Sequence, residues 1–269
     1  MNFLVLLLVG LILLWSPWYR GFPRDVLRDW VRRAARVGRG WGTVALVLAL
    51  LLPLGLLLWL AQGLAYGVVT LLLHVVLLLC CVGRHDPLRS MGADFLGAWE
   101  RGDQAAAALV AEQQLGLSGE QAEDLLAQVR SRMAALCLQD YFVPAFWYLL
   151  LGPLGALGYR LMELTRQQWG HSASQPAGIL VHALEWIPAR LLALSFALVG
   201  QFDATLRTLR GVAAEWELSA GELVTRCAAA AVVPSLAEPP AGALEDTRQL
   251  LLRAMLAWAV IIAFLSVLG

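Results

Sequence analysis

Ionisable side chains within apolar sequence are the residues of this chain whose types and spacing suggest chemistry. Arg160 and Glu163 are three residues apart, as are His182 and Glu185, so each pair shares one face of a helix. Arg190 follows Pro188, which removes a backbone hydrogen bond and predicts a kink. Because ionisable side chains are costly and rare inside a membrane, each is a candidate for function.

Two interpretations of these residues remain open. In the first, Asp140, Glu185 and Arg190 pair across a helix bundle and fix its packing, and glycines between 152 and 158 allow close helix contact. In the second, the same residues line a polar pocket that binds an anionic headgroup or a small metabolite. Arginine would then be the anion ligand, because its planar guanidinium matches carboxylate and phosphate oxygens.

Several kinds of catalysis are disfavoured by the sequence. All 20 basic residues are arginine, which excludes a P-loop lysine and a Schiff-base lysine. The chain has no G-x-S-x-G and no H-E-x-x-H motif, and its four cysteines form no C-x-x-C pair. A net charge of zero disfavours nucleic acid as a partner. We therefore predict no catalytic residue, no metal site and no cofactor from these patterns.

The elements that must position the polar residues are membrane helices. Of the 269 residues, 59% are hydrophobic, and six apolar segments predict an all-α polytopic membrane protein. The fourth and fifth segments, 141–159 and 183–200, could also be re-entrant or interfacial. The predicted division has seven parts: a first span (1–19), an arginine-rich interfacial helix (20–40), a helix pair (41–82), a soluble helical insert (83–139), a core with two membrane helices and the polar cluster (140–202), a second soluble insert (203–249) and a last span (250–269).

The interfacial helix carries a stripe of arginines on one side. Arg24, Arg28, Arg32 and Arg36 repeat every four residues opposite an apolar face, which predicts a helix lying on anionic lipid headgroups. Arginine is also concentrated in segments 20–39, 83–140 and 201–253. The positive-inside rule therefore predicts that these segments are cytoplasmic and that both termini are outside.

The two soluble inserts read as helices. The first predicts a break at Gly102-Asp103, a helix over Gln104–Gln114 and a second helix over Gly119–Leu138 capped by Ser118. In the second insert, the run 238–242 reads as a plain linker.

Three strings resemble the AmpE and CobD/CbiB superfamily of bacterial inner-membrane proteins. They are Tyr141-Phe-Val-Pro-Ala-Phe-Trp-Tyr148, Gly152-Pro-Leu-Gly-Ala-Leu-Gly-Tyr-Arg160 and Val181-His-Ala-Leu-Glu-Trp-Ile-Pro-Ala-Arg190. One branch of this superfamily contains adenosylcobinamide-phosphate synthases. The other is AmpE, a membrane signalling component in β-lactamase induction. The resemblance covers about 85–230.

Departures from the synthase pattern favour the AmpE branch. Leu136 and Cys137 stand where synthases have glutamate and asparagine, and Arg160 and Glu163 stand where they have lysine and asparagine. Positions 179–182 read Ile-Leu-Val-His in place of Arg-Leu-Asp-Asp. His182 and an acid immediately before Trp186 are similar to AmpE.

The resemblance implies a signalling protein of the bacterial inner membrane that modulates β-lactamase induction or a cell-wall stress response. It would bind a small ligand, a lipid headgroup or a partner segment. The candidate ligand-binding residues are Asp140, Arg160, Glu163, His182, Glu185, Trp186 and Arg190. Expected partners are membrane lipids and a second protein or a second copy of the chain. The alternatives are an amide-forming ligase, which would use ATP and Mg²⁺, and a membrane scaffold without a ligand.

Overall fold

The computed structural model describes residues 2–15, 26–38, 40–62, 67–82, 95–99, 101–115, 117, 122–169, 176–232 and 240–268. Over these ranges the chain forms helices and no strand, which confirms the all-α prediction. The helices are α1 Asn2–Trp15, α2 Val26–Val37, α3 Trp41–Leu48, α4 Leu51–Leu60, α5 Val68–Cys81, α6 Gln104–Leu115, α7 Ala122–Cys137, α8 Val143–Gln168, α9 Pro176–Val199, α10 Phe202–Val212, α11 Ala220–Ala231 and α12 Pro240–Leu268.

The apolar helices account for the predicted membrane segments. Four stretches within the described ranges are long and apolar enough to cross a membrane: Trp41–Leu60, Leu125–Gln168, Pro176–Val199 and Leu244–Phe264. Two shorter apolar helices, Phe3–Leu13 and Val68–Cys81, correspond to the first and third predicted segments. The protein is therefore a polytopic helical membrane protein.

Contacts divide the chain into two compact units. The first comprises Met1–Arg84, Asp140–Glu185 and Ser266–Gly269, and the second comprises His85–Gln139 and Trp186–Leu265. Within the first unit, α8 packs against all of α1 to α5 and forms the centre of the core. The seven-part division made from the sequence stays a prediction.

Helix α8 reverses its direction within the first unit. A straight helix rises 1.5 Å per residue, which would separate Asp140 from Arg160 by about 30 Å. Instead, the Arg160 Nη1 and Asp140 Oδ1 atoms are 3.3 Å apart. A Cβ atom added to Gly155 would lie 2.6 Å from the carbonyl oxygen of Trp147, eight residues earlier in the chain. The chain must therefore fold back between these residues.

The reversal occurs at Gly152. Its φ of 69° and ψ of −161° are outside the helical range, in a region that glycine adopts far more readily than other residues. Pro153 follows and starts the second arm with its fixed φ. Helix α8 is thus a helical hairpin with arms 143–151 and 153–168. Of the two alternatives for the fourth apolar segment, the structure favours a re-entrant one over the single span 141–159.

The hairpin corrects the alternation expected from six successive spans. Such alternation would place segment 160–180 on the opposite side of the membrane from segment 20–39. In the structure, α2 packs against α8, and Arg28 and Arg32 line one cavity with Leu164, Gln167 and Gln168. The end of the returning arm therefore lies beside the arginine-rich helix.

Helix α9 continues through Pro188 without an interruption. A proline at this position cannot donate to the carbonyl of Leu184, four residues earlier. The indole Nε1 of Trp147, on the first arm of the hairpin, donates to that carbonyl at 3.1 Å. The carbonyl that Pro188 leaves without a donor within the helix therefore accepts from an aromatic side chain of the first unit.

The second unit is built on α7. Helices α6 and α11 pack against α7, and α10 packs against α11. The helix predicted from Gln104 and the break at Gly102 are both confirmed, and Asp103 Oδ1 caps the helix by accepting from the Ala106 N–H at 3.0 Å. The predicted linker 238–242 is wrong from Pro240 onward, because α12 begins there, consistent with the preference of proline for first helical positions. Ser118 lies outside the described residues.

Candidate functional site

Asp140 and Arg160 form a buried ion pair in the first unit. Asp140 lies in a π-helical segment, Leu138–Phe142, which leads into the hairpin, and Arg160 lies on the returning arm. Both side chains are 7% exposed, and Arg160 Nη1 donates to Asp140 Oδ1 at 3.3 Å. A π-helical turn is rare and often occurs at functional positions, because it shifts the side chains that follow it. Here it lies at the residue that neutralises a buried arginine.

A second polar cluster, called here the glutamate cluster, joins the returning arm to α9. It consists of Tyr159, Glu163, Arg166, Gln167 and Glu185. The Tyr159 hydroxyl donates to Glu185 Oε1 at 2.8 Å, and Gln167 Nε2 donates to Glu163 Oε1 at 3.0 Å. The side chains of Glu163 and Glu185 are 2% and 4% exposed, so both carboxylates are removed from solvent.

Arg166 lies between the two carboxylates of this cluster. Its Nη2 is 2.7 Å from Glu163 Oε2 and 3.9 Å from Glu185 Oε1. Glu163 is on the same helix three residues earlier, whereas Glu185 is on α9. One arginine thus serves two buried acids at unequal distances, which gives the cluster two possible pairings.

Among the remaining predicted residues of the first unit, His182 lies half-buried on α9, three residues before Glu185. Its role as a ligand-binding residue stays a prediction.

Trp186 and Arg190 belong to the second unit and form a separate arrangement there. The Arg190 guanidinium carbon lies 3.7 Å from the centroid of the Trp186 ring. Its Nε, Nη1 and Nη2 atoms donate to the carbonyls of Ala213 at 2.6 Å, Trp186 at 2.9 Å and Glu215 at 3.1 Å. All three nitrogens of Arg190 therefore hold backbone carbonyls, an arrangement that fixes the turn after α10. Anion binding by Arg190 stays a prediction.

The arginine stripe of α2 is described for three of its four members. Arg28, Arg32 and Arg36 are exposed, and Arg24 lies outside the described residues. On the opposite face Val31 and Ala34 are 1% and 3% exposed, because α2 packs against α3 and α8. Part of the apolar face that was predicted to lie on lipid therefore packs on protein.

Three residues of the glutamate cluster were absent from the predicted site. Tyr159 lies four residues before Glu163, and Arg166 lies three residues after it, so helical spacing places both on the same face as Glu163. Gln167 lies four residues after Glu163 and shares that face as well. Helical spacing therefore indicated that these three side chains lie beside Glu163. It did not indicate that Glu185, on another helix, would contact them.

The chemistry available at this site is charge pairing and ligand binding. Within the described part of the chain, no group of three His, Cys, Asp or Glu side chains could hold a metal ion. Asp140, Glu163 and Glu185, the three acids that a Mg²⁺ site would need, each lie within 4 Å of an arginine. A divalent cation would have to displace those arginines, so this donor set does not fit Mg²⁺.

Comparison with known proteins gives similarity over most of the chain. The family described as "Regulatory signalling modulator protein AmpE" matches residues 25–269. The chain is 28% identical over 187 residues to Protein AmpE of Shigella flexneri, covering 64% of this chain and 65% of that protein. It is 29% identical over 197 residues to Cobalamin biosynthesis protein CobD of Stutzerimonas stutzeri, covering 67% of this chain and 62% of that protein.

These matches span less than two thirds of the length of either relative. No solved structure matches the chain.

Proposed function

This chain belongs to the AmpE family, and we propose that it is a signalling modulator of the bacterial inner membrane that acts in β-lactamase induction or a cell-wall stress response. A modulator needs two states that a ligand or partner can bias. The observation that supports this proposal is the position of Arg166 between Glu163 and Glu185. Movement of one guanidinium between two acids would change the contact between the hairpin and α9.

The two pairings have opposite consequences for the helices. When Arg166 pairs with Glu163, the ion pair lies within one helix and leaves α9 held by the Tyr159–Glu185 hydrogen bond. When Arg166 pairs with Glu185, the ion pair joins α8 to α9. In either arrangement Arg166 keeps a buried acidic partner, so the two pairings differ in energy by less than the roughly 3–5 kcal/mol that loss of a buried partner costs. A ligand or partner that favours one pairing then shifts the population towards it.

The experiment compares Glu163→Gln with Glu185→Gln in a bacterium that carries an inducible β-lactamase. The chromosomal copy of the gene is deleted, each variant is supplied in its place, and β-lactamase activity is measured with and without a sub-inhibitory β-lactam. Glu163→Gln removes the partner within the helix and Glu185→Gln removes the partner on α9, so we expect the two variants to shift induction in opposite directions.

The matched control is Glu222→Gln, which removes an acid of an exposed ion pair in the second unit and should leave induction unchanged. Equal induction in the deletion strain and in the complemented strains would refute a role in this response. Shifts of the same sign in both variants would refute the two-pairing mechanism, provided that both proteins accumulate to wild-type levels.

An amide-forming ligase is the second candidate, because a protein named for cobalamin biosynthesis matches 67% of the chain. This function would require ATP turnover with an amine and a carboxylate donor. The purified protein would be incubated with ATP, Mg²⁺ and such donors, and released ADP and phosphate would be measured. Turnover that Asp140→Asn abolishes would favour the ligase over the modulator, and absence of turnover would exclude it for those donors.

A further inference from the structure

A cavity of about 220 Å³ lies between α2 and the end of the returning arm of α8. It is lined by Arg28, Val31, Arg32, Leu164, Gln167 and Gln168. Two guanidinium groups and two carboxamide groups thus border a space with an apolar part formed by one valine and one leucine. All of these residues belong to the first unit.

We propose that this cavity, called here the arginine cavity, binds a phosphate group, carried either by an anionic phospholipid or by a soluble phosphate. Guanidinium groups donate pairs of parallel hydrogen bonds that match phosphate oxygens. A carboxamide has two N–H donors, and Gln167 uses one for Glu163, which leaves the other for a ligand oxygen. The apolar lining suits the glycerol or acyl portion of a lipid.

Among the residues that the structure describes, Asp29 and Glu163 are acids that contact side chains lining the cavity. Asp29 lies 3.9 Å from Arg32, a distance at which the arginine keeps most of its donors for another group. Glu163 lies behind Gln167, and Arg166 neutralises it at 2.7 Å. Arg28, Arg32 and Arg166 against Asp29 and Glu163 leave one net positive charge at this site, which favours an anion.

The arginine cavity is connected to the glutamate cluster. Gln167 lines the cavity and donates to Glu163, which pairs with Arg166, whose next nearest acid is Glu185. A phosphate that attracts the Gln167 amide would weaken its hydrogen bond to Glu163 and thereby change which acid Arg166 prefers. The regulatory role of the arginine cavity rests on the proposed function. Binding of phosphate to the cavity can be measured without any signalling assay.

The position of the cavity fits a ligand at the membrane surface. Helix α2 is amphipathic, with arginines exposed on one side, and it lies at the end of the returning arm where the apolar sequence stops. Anionic phospholipid headgroups are concentrated at this depth and attract basic segments. Soluble phosphates reach the same depth from the aqueous side.

The test uses the full chain in nanodiscs and two double variants of equal charge. Arg28→Gln with Arg32→Gln removes the arginines that line the cavity, and Arg33→Gln with Arg36→Gln removes two exposed arginines of the same helix that do not line it. In the first experiment the nanodiscs contain phosphatidylcholine with a minor share of phosphatidylglycerol, and native mass spectrometry counts the phosphatidylglycerol molecules that the protein retains. In the second experiment the nanodiscs contain phosphatidylcholine only. Inorganic phosphate is titrated, and the thermal unfolding temperature of the protein is measured at each concentration.

We expect the cavity variant to bind its probe at least about tenfold more weakly than the control variant, because it loses charge-assisted hydrogen bonds. Preferential retention of phosphatidylglycerol identifies a lipid ligand, whereas stabilisation by inorganic phosphate alone identifies a soluble one. Gln167→Leu, which keeps both arginines, should weaken binding by a smaller factor and serves as a second check.

Equal loss in the two double variants would show that only the general positive charge of α2 matters and would overturn the site. Binding of neither probe by the wild-type protein would overturn it as well. Binding that follows the expected pattern, together with equal induction in the deletion strain and the complemented strains, would keep the site and refute the proposed function.

Discussion

Arg160 is the residue whose surroundings most restrict its chemistry. It lies on the returning arm and is paired with Asp140, and both side chains are 7% exposed. A charge in such a position cannot be satisfied by water, so the pair must persist whenever the hairpin is formed. The pair also explains how the sequence tolerates an aspartate at the entry to a membrane segment.

We predict that Asp140→Leu alone lowers the free energy of unfolding by about 3 kcal/mol, because it leaves the Arg160 charge buried without that partner. The double variant Asp140→Leu with Arg160→Met should recover much of the loss, since apolar residues of similar volume can replace a buried pair. Denaturant unfolding in detergent compares both variants with the wild-type protein.

The ion pair of Arg226 and Glu222 is the exposed control for the buried pair, with side chains 48% and 49% exposed. Removal of either partner there should cost less than about 1 kcal/mol, because exposed ion pairs are screened by solvent. If Asp140→Leu were as mild as Glu222→Leu, the inner pair would contribute little to stability.

The polar residues could be found from sequence more easily than their partners could. Apolar surroundings were enough to single out Asp140, Arg160, Glu163 and Glu185, because charges there are rare. The pairing of Asp140 with Arg160 could not be predicted, because the sequence between them reads as one continuous helix that would hold them far apart. The unequal distances from Arg166 to its two acids depend on packing between α8 and α9, which helical spacing does not report.

The helical hairpin is the element on which both polar clusters depend. It brings the π-helical turn before α8 next to the returning arm and presents Tyr159, Glu163 and Arg166 to α9. The Gly152-Pro153 dipeptide is a known turn signal, yet uninterrupted apolar sequence on both sides reads as one span. Composition therefore predicted the helices, but it left open whether the fourth apolar segment spans the membrane or folds back.

The hairpin tip gives a prediction with a close control on the same helix. Gly152→Ala should destabilise the protein by about 1 to 3 kcal/mol, because alanine is strained at a φ of 69° although space is available there. Gly158→Ala should be neutral or stabilising by up to about 1 kcal/mol, since its Cβ would lie 3.6 Å from Leu51 Cδ1, an ordinary contact. Thermal unfolding in detergent compares the two, and equal effects would contradict a sharp reversal at Gly152.

For the molecule as a whole, the number of apolar segments was easier to predict than their sidedness. The six segments recur as four long and two short apolar helices in the described ranges. Sidedness from arginine counts assumes that each segment crosses the membrane, and a hairpin violates that assumption. Arg160 and Arg166, which alternation would place outside, instead lie on the arm that ends beside α2.

Single-cysteine labelling tests this arrangement in the first unit. In a background without native cysteines, Arg36→Cys on α2 and Gln168→Cys at the end of α8 should react with a membrane-impermeant maleimide from the same side. Gln62→Cys, which is exposed just after the candidate span Trp41–Leu60, should react from the opposite side. Labelling of positions 36 and 168 from opposite sides would restore the single span and contradict the hairpin.

The hydrogen bond from Trp147 to the Leu184 carbonyl has a consequence for the biogenesis of the protein. Ribosomes synthesise Trp147 before Leu184, so the indole donor is already in the membrane when α9 leaves the translocon with an unsatisfied carbonyl at its proline. In hydrocarbon such a carbonyl is costly, and no water is available to satisfy it. The order of synthesis thus places the indole donor in the chain before the carbonyl that it satisfies.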